Sequence, residues 1–251
     1  MIIYSIIIPL YNQLDELHWH NKFYSSLWEV RQDFEVLYMD DGSADGTKQF
    51  FKETKIPYNY QYDYVDDAGF RVAYAKNRGI RMAKGKWCLI IDGDTFIDQD
   101  TLKEYDTWAN DPMKCYFGKR FPIDFDKLSS HVNNASQYLN GGLKETALKK
   151  EDFRGFLHNI PPAPHNHFSG ANFLCDTKEI KKTGYAWDKF VGYGYDDYVF
   201  AIQWLTSGHT FDALNDCIAY HAKDAPKPGS ERTKKLYMDF IEKHKEQLGK
   251  L

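Results

Sequence analysis

Lys86-Trp87-Cys88-Leu89-Ile90-Ile91-Asp92-Gly93-Asp94 is the stretch from which the organisation of this 251-residue chain is read. The apolar run up to Ile91 reads as a buried strand. Asp92 and Asp94 are therefore presented together where a core strand reaches solvent. Two acids held this close repel unless a cation sits between them or several hydrogen bonds satisfy them. Hard oxygen ligands beside an open position suit Mg²⁺ or Mn²⁺, ions that usually bind with substrate phosphates rather than in closed protein cages. Asp-Gly is also a common turn pair, so the triplet takes its meaning from its surroundings. A calcium loop fits worse, because that pattern needs a ligand at Phe96 and a glycine at Ile97.

Outward from this strand the first half of the chain alternates in type. Strands are predicted near 3–8, 34–39, 58–64 and 86–91, and helices near 14–30, 46–54, 71–83 and 100–109. Apolar strands alternating with helices argue for an α/β fold with a mixed, mainly parallel sheet flanked by helices. Ligands of such sheets bind at the carboxyl ends of the strands. Three polar clusters fall there: Pro9-Leu10-Tyr11-Asn12, Asp40-Asp41-Gly42-Ser43 and Asp92-Gly93-Asp94. Further strands are predicted at 113–119 and 171–175, and helices at 196–206 and 231–249. The loop-rich segment 121–168, with its Pro161-Pro162-Ala163-Pro164 run, reads as a mobile lid or acceptor loop. With no repeat and no linker, residues 1–228 form a single domain. Its expected halves are 1–111 and 112–228, and a C-terminal helix at 229–251 is expected to dock one face on the body.

Composition narrows the function classes. The net charge of −4 gives no global attraction to nucleic acid or to an anionic membrane. Aromatic residues make up 16%, with 18 Tyr, which suits sugar stacking and core packing alike. The four cysteines stand far apart with no Cys-X-X-Cys, so reduced, buried thiols in a cytoplasmic protein are expected. The apolar start, Met1 to Ile8, runs straight into Pro9 and reads as a first strand rather than a signal peptide. No apolar run approaches spanning length, which leaves peripheral contact as the membrane role still open.

Three further clusters carry chemistry. In Val36 to Thr47 a strand, an acidic turn and a helix start follow one another; Asp45 or Ser43 can cap that helix. Asp41, at the strand end, can accept the N3–H of a uracil or hydrogen-bond a ribose. In Asp67 to Ile80, Phe70, Ala73, Asn77 and Ile80 recur at helical spacing. Arg71 at the helix start can reach a diphosphate or base, with solvated surface as the equal alternative; Lys76 and Arg78 read as surface. In Trp187 to Phe200, glycines and tyrosines precede Asp196 and Asp197. One of these acids caps a helix, and the second fits a general base aimed at a bound hydroxyl. His221, after a strand-like run, suits a third metal ligand beside the acidic pair.

These residues, in this order, resemble the inverting nucleotide-sugar glycosyltransferases of family 2, which have the GT-A (Rossmann-like) fold. The matching stretches are Ser5 to Asn12, Met39 to Ser43, Gly69-Phe70-Arg71 with Asn77-Arg78-Gly79, and Asp92-Gly93-Asp94. Phe168 to Asn172 and Gly192 to Asp197 are similar to the acceptor-side half of chondroitin-polymerase and galactosyltransferase relatives. The resemblance covers roughly residues 3–225 and is weakest across 121–167. It implies a UDP-sugar donor with Mn²⁺ or Mg²⁺. Pro9, Tyr11, Asp41, Arg71, Asn77, Asp92 and Gly93 would bind the donor, with Asp41 at the uracil. Asp94, with His221, would hold the ion, and Asp92 would face the ribose or the ion's waters. The family's Trp-Gly-Gly-Glu-Asp motif is replaced by Tyr193-Gly194-Tyr195-Asp196-Asp197. Asp197 then aligns with the catalytic base and Asp196 with an acceptor-hydroxyl contact. Tyr for Gly and Asp for Glu are departures that bear on the acceptor.

The expected function is a metal-dependent inverting transfer of a sugar, a hexose or N-acetylhexosamine, from a UDP-sugar to a hydroxyl acceptor, a glycan or polysaccharide. A sugar-1-phosphate nucleotidyltransferase is the rival enzyme, but Pro9 to Gln13 lacks its Gly-rich loop. A carbohydrate-binding protein on a decayed transferase fold is opposed by the retention of both acidic pairs. A modified DNA base as acceptor is disfavoured by the acidic charge, although Lys144 to Arg154 supplies a local basic stretch.

Overall fold

Along Tyr4–Leu10 (β1) the side chains alternate between two cores, as the two-residue period of a strand dictates. Tyr4, Ile6, Ile8 and Leu10 enter one apolar cluster, and Ile7 enters the other. Every residue of β1 is buried. Each fully buried Ile contributes about 1.5–3 kcal/mol, and a one-residue slip would exchange the two faces. Register is thus fixed by the sequence: Tyr4 lies beside Phe34 on one side and beside Trp87 on the other.

The computed structural model describes residues 1–124, 170–188, 190–222 and 231–248, with Leu128, Leu143 and Phe168. Most of the expected loop 121–168, the basic stretch Lys144 to Arg154, and positions 229, 230 and 249–251 lie outside the described residues. Strands β2 (Phe34–Asp40), β3 (Tyr60–Tyr64) and β4 (Trp87–Ile91) join β1 in the parallel half. The other strands are β5 (Thr95–Ile97), β6 (Lys114–Pro122), β7 (Asn172–Asp176) and β8 (Thr210–His221). They form one sheet in the order β3-β2-β1-β4-β7-β6-β8-β5. β7 pairs antiparallel with β4 and β6, β8 runs parallel to β6, and β5 pairs antiparallel with β8. The described helices are α1 (Leu14–Val30), α2 (Thr47–Glu53), α3 (Val72–Met82), α4 (Gln99–Trp108), α5 (Thr177–Thr183), α6 (Asp196–Thr206) and α7 (Glu231–Leu248). None of them is long and apolar enough to cross a membrane.

The expected elements of the first half are present within a few residues. β5 and α5 were not foreseen, and β6 runs on to Pro122. The N-cap of α2 is Gly46, with no side-chain cap, rather than Asp45 or Ser43. Asp45, one residue before it, accepts from the Thr47 N–H at 3.1 Å, and Ser43 accepts from the Asn12 N–H at 2.9 Å. Between Gly118 and Lys119 the partner register on β8 jumps from Leu214 to Ile218. A bulge of Asn215-Asp216-Cys217 is thereby accommodated, and a Cβ at Gly118 would collide with the Cys217 carbonyl. The aromatic excess goes largely inward: Phe168, Phe173, Tyr185 and Phe200 pack with ring centroids 5.0–5.8 Å apart. All four cysteines are free and buried, as expected.

Candidate active site

Because β1, β2 and β4 are parallel, their carboxyl ends open on one edge of the sheet. A cleft of about 460 Å³ lies there, lined by Pro9, Tyr11, Asp41, Arg71, Asp92, Gly93, Asp94, Asp196, Asp197 and His221 among others. These are the site residues expected from sequence, with one exception. Asn77 is not brought to the cleft. Its amide donates to the Ala186 carbonyl (2.7 Å) and Asp188 Oδ1 (2.8 Å) and accepts from the Tyr185 N–H (2.7 Å), fixing the turn after α5. Those partners leave the side chain little capacity for a donor.

On one wall, Arg71 occupies the N-cap position of α3. Its Nη2 lies 2.6 Å from Asp41 Oδ1 and its backbone N–H donates to Asp41 Oδ2 at 3.0 Å. A further bond to the Asp66 carbonyl, 2.7 Å, holds the guanidinium. Burial raises the Asp41 carboxyl above its ordinary range, with Arg71 pulling the other way. The neighbouring Asp40 serves the turn, accepting from the N–H groups of Gly42 and Ser43 and from the Tyr62 hydroxyl. Tyr11 donates its hydroxyl to Asp67 Oδ2 at 3.0 Å.

The loop after β4 is held from below. His20 on α1 donates from Nε2 to the Gly93 carbonyl at 3.0 Å, which requires the neutral Nε2–H tautomer or the imidazolium. Burial depresses its pKa to about 4, so the ring is neutral at pH 7. A side chain at Gly93 would meet the Gln13 side chain and, at 2.6 Å, the Pro9 carbonyl. The two aspartates of the loop then diverge. Asp92 Oδ1 lies 2.8 Å from the Lys76 ammonium. Asp94 Oδ1 lies 3.4 Å from His221 Nε2, and its backbone carbonyl accepts from the Ala222 N–H at 2.8 Å.

Lys76 and Arg78, expected at the surface, are 2% and 6% exposed. Arg78 binds Asp63 and the carbonyl of Asp40. Lys76 reaches the Gly170 carbonyl at 2.9 Å and the Tyr185 hydroxyl at 3.5 Å as well as Asp92. Its charged form is disfavoured by burial, but Asp92 and Asp196 outweigh that, and the pKa is raised. The signal was in the periodicity, since Lys76 stands on the stripe that Ala73, Asn77 and Ile80 mark as buried. Arg120 and Tyr185, also in the cleft, carried no comparable mark.

The opposite wall is the start of α6. Asp196 is buried and Asp197 half-buried in its first turn. Asp196 Oδ2 accepts from the Tyr185 hydroxyl at 3.0 Å, and burial pushes its carboxyl up. Asp197 Oδ1 accepts from the Tyr198 N–H at 3.0 Å. Tyr195, the N-cap, has φ +70°, a left-handed conformation uncommon for a bulky residue. Its ring stacks on Tyr237 of α7 at 5.2 Å and 19°. Thr233 of α7 donates to the Tyr193 carbonyl at 2.8 Å. The C-terminal helix therefore braces this wall. Tyr11, Phe70 and Tyr193 are the exposed aromatics of the cleft.

The donor set of a carboxylate oxygen and an imidazole nitrogen, part-buried in a cleft, fits a hard divalent ion that takes its remaining ligands from water and phosphate. Among the described residues no three His, Cys, Asp or Glu side chains gather into a protein-only metal cage.

The fold and cleft together define a GT-A-type, Rossmann-like α/β protein. Residues 5–172 match the glycosyl transferase family 2 model, and the chain belongs to that family. It is 24% identical over 245 residues to the chondroitin synthase of Escherichia coli, covering 90% of this chain and 35% of that protein. It is 24% identical over 222 residues to the hyaluronan synthase of Pasteurella multocida, covering 79% and 22%. The chain thus spans about a third or less of the length of these two relatives. Crystal structures of S. aureus TarS 1–349 share the fold. One superposes with a TM-score of 0.61 at 17% identity, covering 97% of this chain and 72% of that one. A second, in complex with UDP-GlcNAc, gives 0.60 at 18% identity, covering 90% and 60%.

Proposed function

We propose that this chain transfers a sugar from a UDP-sugar to a hydroxyl of a glycan or polysaccharide acceptor, with inversion, in the presence of Mn²⁺ or Mg²⁺. The observation that carries this reading is the single cleft with Asp41–Arg71 and Asp94–His221 facing Asp196 and Asp197. The names of the relatives, two polysaccharide synthases, and the UDP-GlcNAc complex of TarS support the donor and acceptor classes.

In this reading Asp41 and Arg71 would receive the uracil, and Asp92 would lie nearer the ribose. Asp94 and His221 would hold the ion, which when bound offsets negative charge on the diphosphate. Asp197 would take the proton of the acceptor hydroxyl as its oxygen bonds to the anomeric carbon from the face opposite UDP. The bond from that carbon to the diphosphate oxygen breaks, and its electron pair leaves with UDP. Asp196 would bind an acceptor hydroxyl. Asp196 is the second candidate for the base, since burial pushes its carboxyl up. Its bond from Tyr185 and its burial favour the binding role.

Screening UDP-sugars for divalent-ion-dependent release of UDP, then acceptors with the best donor, tests the proposal. The expected result is turnover with a subset of UDP-sugars that is lost in EDTA. Pyrophosphate release from UTP and a sugar 1-phosphate, with no turnover of UDP-sugars, would contradict it in favour of a nucleotidyltransferase.

A further inference from the structure

We propose that Lys76 is a positioning residue for transfer, a buried ammonium that ties the donor wall of the cleft to the acceptor wall; this rests on the glycosyltransferase reading above. A charge this deeply buried needs full compensation. Lys76 finds it on two sides at once. Nζ lies 2.8 Å from Asp92 Oδ1, in the loop after β4. It donates to the Gly170 carbonyl at 2.9 Å and to the Tyr185 hydroxyl at 3.5 Å, and it stands 4.7 Å from the centroid of the Tyr185 ring. The Tyr185 hydroxyl in turn donates a hydrogen bond to Asp196 Oδ2 at 3.0 Å. Asp92, Lys76, Tyr185 and Asp196 therefore form one continuous polar chain beneath the cleft.

Each link of that chain stands on a different element. Asp92 follows β4, Lys76 is on α3, Tyr185 follows α5, and Asp196 opens α6. A salt bridge serving the fold alone would need one carboxylate. This one fixes the distance between the loop assigned to the donor and the helix end assigned to the acceptor and base. It also offsets the mutual repulsion of Asp92 and Asp196, both of which act on the same ammonium. The floor between them is rigid, because Tyr185 is stacked against Phe173 and Phe200 and is fully buried. Proximity effects are steep: misplacing reacting groups by about 1 Å costs on the order of 100-fold in rate. Loss of the tie should therefore fall on the chemical step more than on donor binding.

The test compares Lys76→Met, Lys76→Arg and Tyr185→Phe in the full chain. Steady-state transfer with the best donor and acceptor, UDP binding by calorimetry, and thermal melting are measured for each. Tyr185→Phe keeps the ammonium and its bond to Asp92 but cuts the link to Asp196. It should lower kcat by about 10-fold and leave UDP affinity within about 3-fold. Lys76→Met should lower kcat by about 100-fold, and Lys76→Arg should recover about 10-fold of that loss. If Lys76→Met does not fold, Tyr185→Phe carries the test.

Wild-type kcat in Tyr185→Phe, or losses confined to UDP affinity in all three variants, would overturn the inference while leaving the transferase reading intact. Absence of UDP-sugar turnover by the wild-type chain would overturn both.

Discussion

His221 Nε2 and Asp94 Oδ1 stand 3.4 Å apart because β5 and β8 pair antiparallel, with Thr95 opposite His221. The Asp94 carbonyl, bonded to the Ala222 N–H, locks that register at the cleft. Both side chains are part-buried, and on the proposed reading each would be one of the ion's two protein ligands. Asp94→Ala and His221→Ala should each weaken UDP binding in Mn²⁺ by about 10- to 100-fold. Neither should change UDP binding in EDTA. Calorimetry with and without the ion measures both arms.

The Asp41–Arg71 pair makes a different prediction. Arg71→Ala leaves a buried carboxylate without its cation, and breaking such a pair destabilises by about 3 kcal/mol. Asp41→Asn removes the charge but keeps the size and an acceptor oxygen, so it should cost less stability. If the pair reads the base, Asp41→Asn should also narrow the preference for UDP over other nucleoside diphosphates. Urea unfolding and competition binding among nucleoside diphosphates test the two halves of this expectation.

His20 ties stability to pH. Its pKa in the folded chain is pushed down to about 4, by burial first, with the Gly93 carbonyl and Asp94 opposing, against an ordinary 6.5. Between those values the unfolded chain binds the proton more readily, so its contribution is whole above pH 6.5 and lost as the pH falls towards 4. The loss should be about 3 kcal/mol. His20→Gln keeps an N–H for the Gly93 carbonyl and cannot titrate. Urea midpoints at pH 7 and pH 4.5 should fall less in that variant than in the wild type.

At Tyr195 the backbone and the side chain pull in opposite directions. A left-handed φ costs an L-residue about 1–2 kcal/mol, while the stack on Tyr237 returns about 0.5–1.5 kcal/mol. Tyr195→Ala keeps the strain and loses the stack, whereas Tyr195→Gly loses both. The glycine variant should therefore be the more stable of the two by about 1 kcal/mol, as measured by urea unfolding.

The donor half was legible because its signals are local. Ile6-Ile7-Ile8, Val36-Leu37-Tyr38-Met39 and Leu89-Ile90-Ile91 announce buried strands, and Asp41, Asp92 and Asp94 follow directly from where the last two stop. What the sequence hid depends on long-range pairing. Lys76 was read as surface because its partners, Asp92, Gly170 and Tyr185, come together only when α3 lies on the sheet and α5 has folded over it. Asn77 was assigned to the donor on the strength of a motif, yet its amide is used by the turn at Tyr185 to Asp188. β5 has only Thr95–Ile97 to announce it, and the pattern of β8 is broken by the bulge at Asn215 to Cys217. The nearness of His221 to Asp94 was anticipated from chemistry, but the strand pair that creates it was not.

The measurement that bears most directly on the proposed reaction is transfer by Asp197→Asn beside Asp196→Asn, with UDP binding measured on the same samples. Asp197→Asn should lower transfer by at least about 1,000-fold while leaving UDP affinity within about 3-fold, and Asp196→Asn should raise acceptor KM more than it lowers kcat. Substantial transfer by Asp197→Asn, or equal loss of transfer and UDP binding, would contradict Asp197 as the base.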